Sequence, residues 1–92
     1  MSRFEMNIDE SFDVPHRGGV VVTGKAAWGE IRAGDRLWLQ SGERVLPVRV
    51  KFLEAFHNVG PKVRYAGDVV AAGLEGVRKS EILPGARLIG NG

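Results

Sequence analysis

The sequence predicts an all-β chain folded as a small closed antiparallel β-barrel, and three observations carry that prediction. Between Phe12 and Leu39 a glycine recurs at nearly every fifth position (Gly19, Gly24, Gly29, Gly34), with β-branched residues between. Apolar and polar residues alternate with period two in several runs, the signature of half-buried strands. Turns then recur regularly along a chain of 92 residues, and closing the sheet on itself removes the exposed edges such a chain would otherwise leave.

The elements follow in order. Phe4, Met6 and Ile8 alternate with polar neighbours, and Phe12 and Val14 continue that strand after an acidic interruption at Asp9-Glu10. Pro15-His16-Arg17-Gly18-Gly19 is a loop by composition. Val20–Lys25 is a strand, Trp28-Gly29 a turn, and Glu30-Ile31 the centre of a short strand. Ala33-Gly34-Asp35 turns the chain into a strand over Arg36–Gln40, and Ser41-Gly42-Glu43 closes that hairpin. The longest strand is Val45–Phe56, where strict alternation puts Val48, Val50 and Phe52 on the inner face and Arg49, Lys51 and Leu53 on the other. Pro47 near its start marks an edge or a bulge, because proline has no N–H for the ladder. Asn58–Pro61 is a loop and Ala66-Gly67-Asp68 a turn. The apolar strand Val69–Leu74 follows, then one helical turn at Ser80-Glu81-Ile82 and a last strand at Ala86–Ile89. No linker, repeat or low-complexity tract divides the chain, which reads as one domain over residues 1–92.

Composition narrows the function classes. The chain has no cysteine, so disulfides and thiolate metal sites are excluded. Its apolar fraction of 43% must supply the core unaided. No apolar run approaches the ~20 residues of a membrane span, and no leader-like segment opens the chain. The expectation is a soluble cytoplasmic protein. A net charge of +2 permits an acidic partner without demanding one.

Four patterns resemble catalytic or ligand motifs and fail on chemistry. Gly19-Val20-Val21-Val22-Thr23-Gly24-Lys25 follows most of the phosphate-loop spacing. Ala26 then replaces the hydroxyl residue, strand-forming residues occupy the supposed anion cradle, and no helix follows. It reads as a barrel strand. His16 and His57 lack metal-ligand spacing and read as surface residues. Ser11, Ser41 and Ser80 have no nucleophile-elbow context. Asp9, Glu10 and Glu54 are read as solvated acids rather than an acid/base set. No catalytic residue, metal or cofactor is expected.

With this order in hand, the chain resembles domain II of translational GTPases, most closely that of elongation factor Tu. The resemblance is carried by Ile8-Asp9-Glu10-Ser11-Phe12, Gly19–Lys25, Gly29-Glu30-Ile31-Arg32-Ala33-Gly34-Asp35 and Leu53-Glu54-Ala55-Phe56. Ala66-Gly67-Asp68, Leu74-Glu75-Gly76-Val77 and Ile82-Leu83-Pro84-Gly85 complete the ordered set. It implies a barrel without catalytic groups, here freestanding, that helps hold the aminoacylated 3′ end of tRNA. Glu54 matches the glutamate that meets the terminal adenosine, and Asp9 and Glu10 match the acidic pair beside that pocket. Asp68 matches the acid of the turn before the next strand. Val69 stands where elongation factor Tu has an asparagine gripping the aminoacyl group, and valine offers no such hydrogen bond.

Two binding readings follow. One is RNA, the tRNA acceptor end, or another translation component, with Asp9, Glu10, Glu54, Arg49, Lys51, Lys62 and Arg64 as candidate contacts. The alternative is a protein partner or homo-oligomer engaged through Trp28 and Trp38. Both tryptophans stand at positions where the family commonly carries charge, and alternation in Arg36-Leu37-Trp38-Leu39-Gln40 turns Trp38 outward. Neither reading calls for a membrane or for a nucleotide bound by this domain.

Overall fold

Side chains that alternate along each strand need a closed surface to have an inside, and the strand pairing supplies one. The computed structural model describes residues 3–14, 19–54 and 63–91. The strands are β1 (Arg3–Val14), β2 (Gly19–Trp28), β3 (Glu30–Arg32), β4 (Arg36–Ser41), β5 (Arg44–Glu54), β6 (Val63–Tyr65), β7 (Val69–Glu75) and β8 (Arg87–Asn91). A 3₁₀ turn spans Lys79–Glu81. Six strands form a closed barrel in the order β1-β2-β7-β5-β4-β8, all paired antiparallel, and β3 pairs with β6 in a separate ribbon.

Every barrel strand contributes to one core: Met6, Val22, Leu39, Val50, Val70, Leu74 and Leu88 are fully buried. Each such side chain stabilises the fold by about 1.5–3 kcal/mol relative to exposure. β1 closes the ring on β8, from Arg3↔Asn91 to Asn7↔Arg87. Outside that seam the Arg87 guanidinium donates to Glu5 Oε1 (2.8 Å) and to Gln40 Oε1 (2.7 Å), tying β1, β8 and β4 together.

The two Ala-Gly-Asp turns are the same device used twice. In Arg32–Asp35 and Tyr65–Asp68 the glycine takes a positive φ (Gly34 96°, Gly67 92°), the conformation a type II turn demands at its third position. The aspartate N–H donates back to the carbonyl of the first residue in both (3.1 and 3.0 Å). Each carboxylate then accepts from that residue's N–H: Arg32 N–H to Asp35 Oδ2 (2.8 Å) and Tyr65 N–H to Asp68 Oδ2 (2.9 Å). These turns end β3 and β6, and Ile31 between them is fully buried.

Alternation fails at one place in β5. Val50 lies opposite Leu74 and Phe52 opposite Gly73, so Lys51 is the additional residue of a β-bulge. Past it the faces exchange. Leu53 is buried at 4% exposure, and Phe52 is half-buried on the outside, the reverse of the strict period-two expectation. A second bulge lies at Asp9, between the pairs Ile8↔Gly24 and Glu10↔Thr23. The acidic interruption therefore bends one continuous strand. Pro47 sits opposite Trp38 and beyond the last β5–β7 pair, so β5 is an edge there on its β7 side. β6, three residues long, has no counterpart in the sequence reading. The loops expected at Pro15–Gly19 and Asn58–Pro61 lie outside the described residues, except Gly19, which opens β2.

Ser41 is the buried polar group that fastens the 3₁₀ segment to the barrel. It is 1% exposed, and its hydroxyl donates to the Glu81 carbonyl (2.6 Å) while accepting from Leu83 N–H (2.9 Å). Ser41→Ala strands both backbone groups and is expected to cost about 1–3 kcal/mol. Urea unfolding checks this, with a lowered midpoint at unchanged m-value expected and an unchanged midpoint counting against it.

Candidate functional site

The outward face of β5 and β7 collects most of the sequence-predicted contacts that the structure places side by side. Along β5 the outward order is Arg49, then the bulge residue Lys51, then Phe52, then Glu54. Opposite them on β7 stand Glu75, Gly73 and Ala71. The strand thus runs from basic through aromatic to acidic. Arg49 Nη1 donates to Glu75 Oε1 at 3.0 Å, with both side chains about half exposed. An exposed pair of this kind is worth about 0–1 kcal/mol, so a stronger anion can draw Arg49 away.

Phe52 is the residue that sequence reasoning missed. A Cβ placed on Gly73 would come within 2.3 Å of the ring atoms Cε2 and Cζ, so the ring covers the bare glycine backbone. A glycine in a strand marks such close approaches, and Gly73 in Val69–Glu75 was a usable signal. The same outward row continues to Val21, which pairs with Gly73, and then to Phe12, which pairs with Val21 and is 45% exposed. Val69 is 61% exposed on the outer face of β7, two residues from Ala71 and therefore diagonal to Glu54.

The remaining candidates fall elsewhere. Glu10 shares an outward cross-strand row with Thr23, Ala71 and Glu54. Two strands separate Glu10 from Glu54, roughly 14 Å along the sheet, so no single small group reaches both. Asp9 occupies its own bulge and is exposed. Arg64 pairs with Ile31 in the β3–β6 ribbon, and Lys62 lies outside the described residues. Trp28 on β2 and Trp38 on β4 are 63% and 48% exposed. Trp28 pairs with Glu5, Glu5 with Ile89 and Ile89 with Trp38, so three strand steps, roughly 14 Å along the sheet, separate the two.

The exposed Arg32 guanidinium is held above its ordinary range, first by its hydrogen bond to Glu30 (3.0 Å) and then by that carboxylate's charge. That is a surface ion pair. Among the described residues no group of three or more His, Asp or Glu side chains could hold a metal ion. None of their helices is long and apolar enough to cross a membrane.

Fold and sequence now converge on a class: this is a β-barrel of the translational-GTPase domain II type, as the sequence resemblance implies. The chain is 37% identical over 78 residues to the selenocysteine-specific elongation factor of Escherichia coli (strain K12), a match covering 85% of this chain and 12% of that factor. It superposes on translation elongation factor SelB from Methanococcus maripaludis in complex with the GTP analogue GPPNHP with a TM-score of 0.83 at 27% identity. The apo form of that factor gives the same values, and both matches cover 97% of this chain and 19% of the other. The chain therefore spans less than a fifth of the length of these relatives. No family model matches the sequence.

The Phe52–Gly73 contact is open to a direct test. Gly73→Ala should push the ring aside and destabilise the fold by about 1–3 kcal/mol. In a Phe52→Ala background the same change should cost much less, and a double-mutant cycle in urea reads the difference. Additive effects would mean that the ring does not cover Gly73.

Proposed function

We propose that this barrel is a non-catalytic binding module of the cytoplasmic translation machinery that holds the single-stranded 3′ end of an RNA, the tRNA acceptor end in particular. The observation that carries the reading is the order Arg49, Lys51, Phe52, Glu54 along one exposed strand, produced by the bulge. Each type suits one part of a nucleotide chain. Arg49 and Lys51 neutralise phosphates, which dominates affinity and makes it fall with salt. Phe52 presents an aromatic surface for a base, worth about 1–3 kcal/mol by stacking. Glu54 has only acceptors when ionised, which suits ribose hydroxyls and repels a further phosphate. The acid at the end of the path thus favours a terminus over a continuing strand.

Val69 sets a limit on this reading. Diagonal to Glu54, it presents an apolar side chain where the family resemblance implies an amide. The module then holds the terminal nucleoside and makes no side-chain hydrogen bond to an attached aminoacyl group at that position.

A labelled acceptor minihelix with a single-stranded 3′ tail, titrated at low and high salt, tests the proposal. Binding should weaken as salt rises, and Glu54→Gln should cost about tenfold, the scale of one charge-assisted hydrogen bond. A 2′,3′-dideoxy terminus should lose the same factor on the native protein and nothing further on the variant. No binding at low salt, or equal binding by Glu54→Gln, overturns the proposal.

A further inference from the structure

A groove of about 670 Å³ opens where β4 and β5 pass the end of β7, walled by Arg36, Trp38, Pro47, Arg49, Glu75 and Gly76. Its floor is the buried pair Leu37 and Val48. The β4–β5 register sets Arg36 directly opposite Arg49, and Trp38 directly opposite Pro47, all four outward and exposed. Like charges facing each other across a strand pair repel. Glu75 compensates Arg49 at 3.0 Å, while nothing among the described residues pairs with Arg36. The groove therefore carries a free guanidinium beside an exposed indole, with the two positions about 7 Å apart along β4.

We infer that this groove is a second nucleotide subsite, which takes the RNA strand onward from β5 and stacks an upstream base on Trp38 with its phosphate on Arg36. The inference rests on the proposed function and extends it from a terminal nucleotide to a short single strand. Arg49 joins the two sites, since it stands on the outer face of β5 and also walls the groove. A strand whose terminal ribose meets Glu54 and whose base covers Phe52 passes Lys51 and Arg49 before it meets Arg36. The rings of Phe52 and Trp38, with Lys51, Arg49 and Arg36 between them, suit the bases and phosphates of a polynucleotide. Trp is the strongest cation–π partner and a sequence-tolerant stacking surface, so the subsite adds affinity without reading a base.

The test uses single-stranded RNA di- and tetranucleotides with free 3′ hydroxyls and a 5′ fluorescent label, with affinity read from the label's anisotropy and the protein's tryptophan emission recorded alongside. The tetranucleotide should bind at least tenfold more tightly than the dinucleotide and quench the emission. Trp38→Ala and Arg36→Gln should each remove most of that gain and leave the dinucleotide unchanged, whereas Trp28→Ala should leave both affinities intact. Phe52→Ala should weaken both lengths, which reports on the β5 site separately. If Trp38→Ala and Arg36→Gln keep the length gain while Phe52→Ala weakens binding, the subsite is overturned and the β5 reading stands. If neither RNA binds, both fall. A polyglutamate peptide that quenches as strongly as the tetranucleotide would assign the groove to acidic polypeptides and overturn the inference.

Discussion

One additional residue in one strand governs the outer surface of this barrel. With Lys51 inserted opposite the Leu74–Gly73 step, β5 changes face: Leu53 enters the core and Phe52 leaves it. Without the insertion Phe52 would point inward, where Leu39, Val50, Leu74 and Leu88 already fill the interior with no exposure. Putting the larger phenyl ring in the place of Leu53 overpacks that core and costs about 1–3 kcal/mol. The bulge resolves that conflict and places an aromatic ring beside two basic residues on the outside. Gly73 completes the arrangement, because any Cβ there would occupy the ring's position.

Closure makes this exchange meaningful. In an open sheet both faces can be solvated, and a change of face carries a small cost. In a ring sealed by β1 on β8, inside and outside differ by the full burial of each side chain, so register is held along every strand. The same rigidity spaces the outer groups. Arg49, Phe52 and Glu54 ride on a strand paired with β7 along that whole stretch, and Arg36 and Trp38 on one paired with β5 and β8. The proposed binding surface, built on paired strands, loses little conformational freedom when it meets a flexible ligand. That suits a module whose relatives are domains within larger translation factors.

Much of this was legible in the residues, and the exceptions have physical causes. The Ala-Gly-Asp turns, the alternation in Arg36–Gln40 and the apolar run from Val69 read directly, because local propensity and tertiary position agree there. Asp9 was visible as an interruption but not as a bulge, since an acidic pair between apolar runs fits either. The face exchange at Lys51 left no local mark in Arg49-Val50-Lys51-Phe52-Leu53. Two adjacent apolar residues permit either assignment, and only the register with β7 decides between them. β6 escaped because three residues are too few for a period. The tryptophans read correctly as exposed. Their separation by three strand positions is a property of ring order, which no single segment encodes.

The account depends most on the β5–β7 register, and interstrand nuclear Overhauser contacts measure it without reference to any ligand. Cross-strand contacts should join Phe52 to Gly73, Leu53 to Ala72 and Glu54 to Ala71, with Val50 facing Leu74 before the bulge. A continuous ladder that pairs Lys51 with Gly73 and Phe52 with Ala72 would contradict it, because Phe52 would then lie in the core and the outward order on β5 would dissolve.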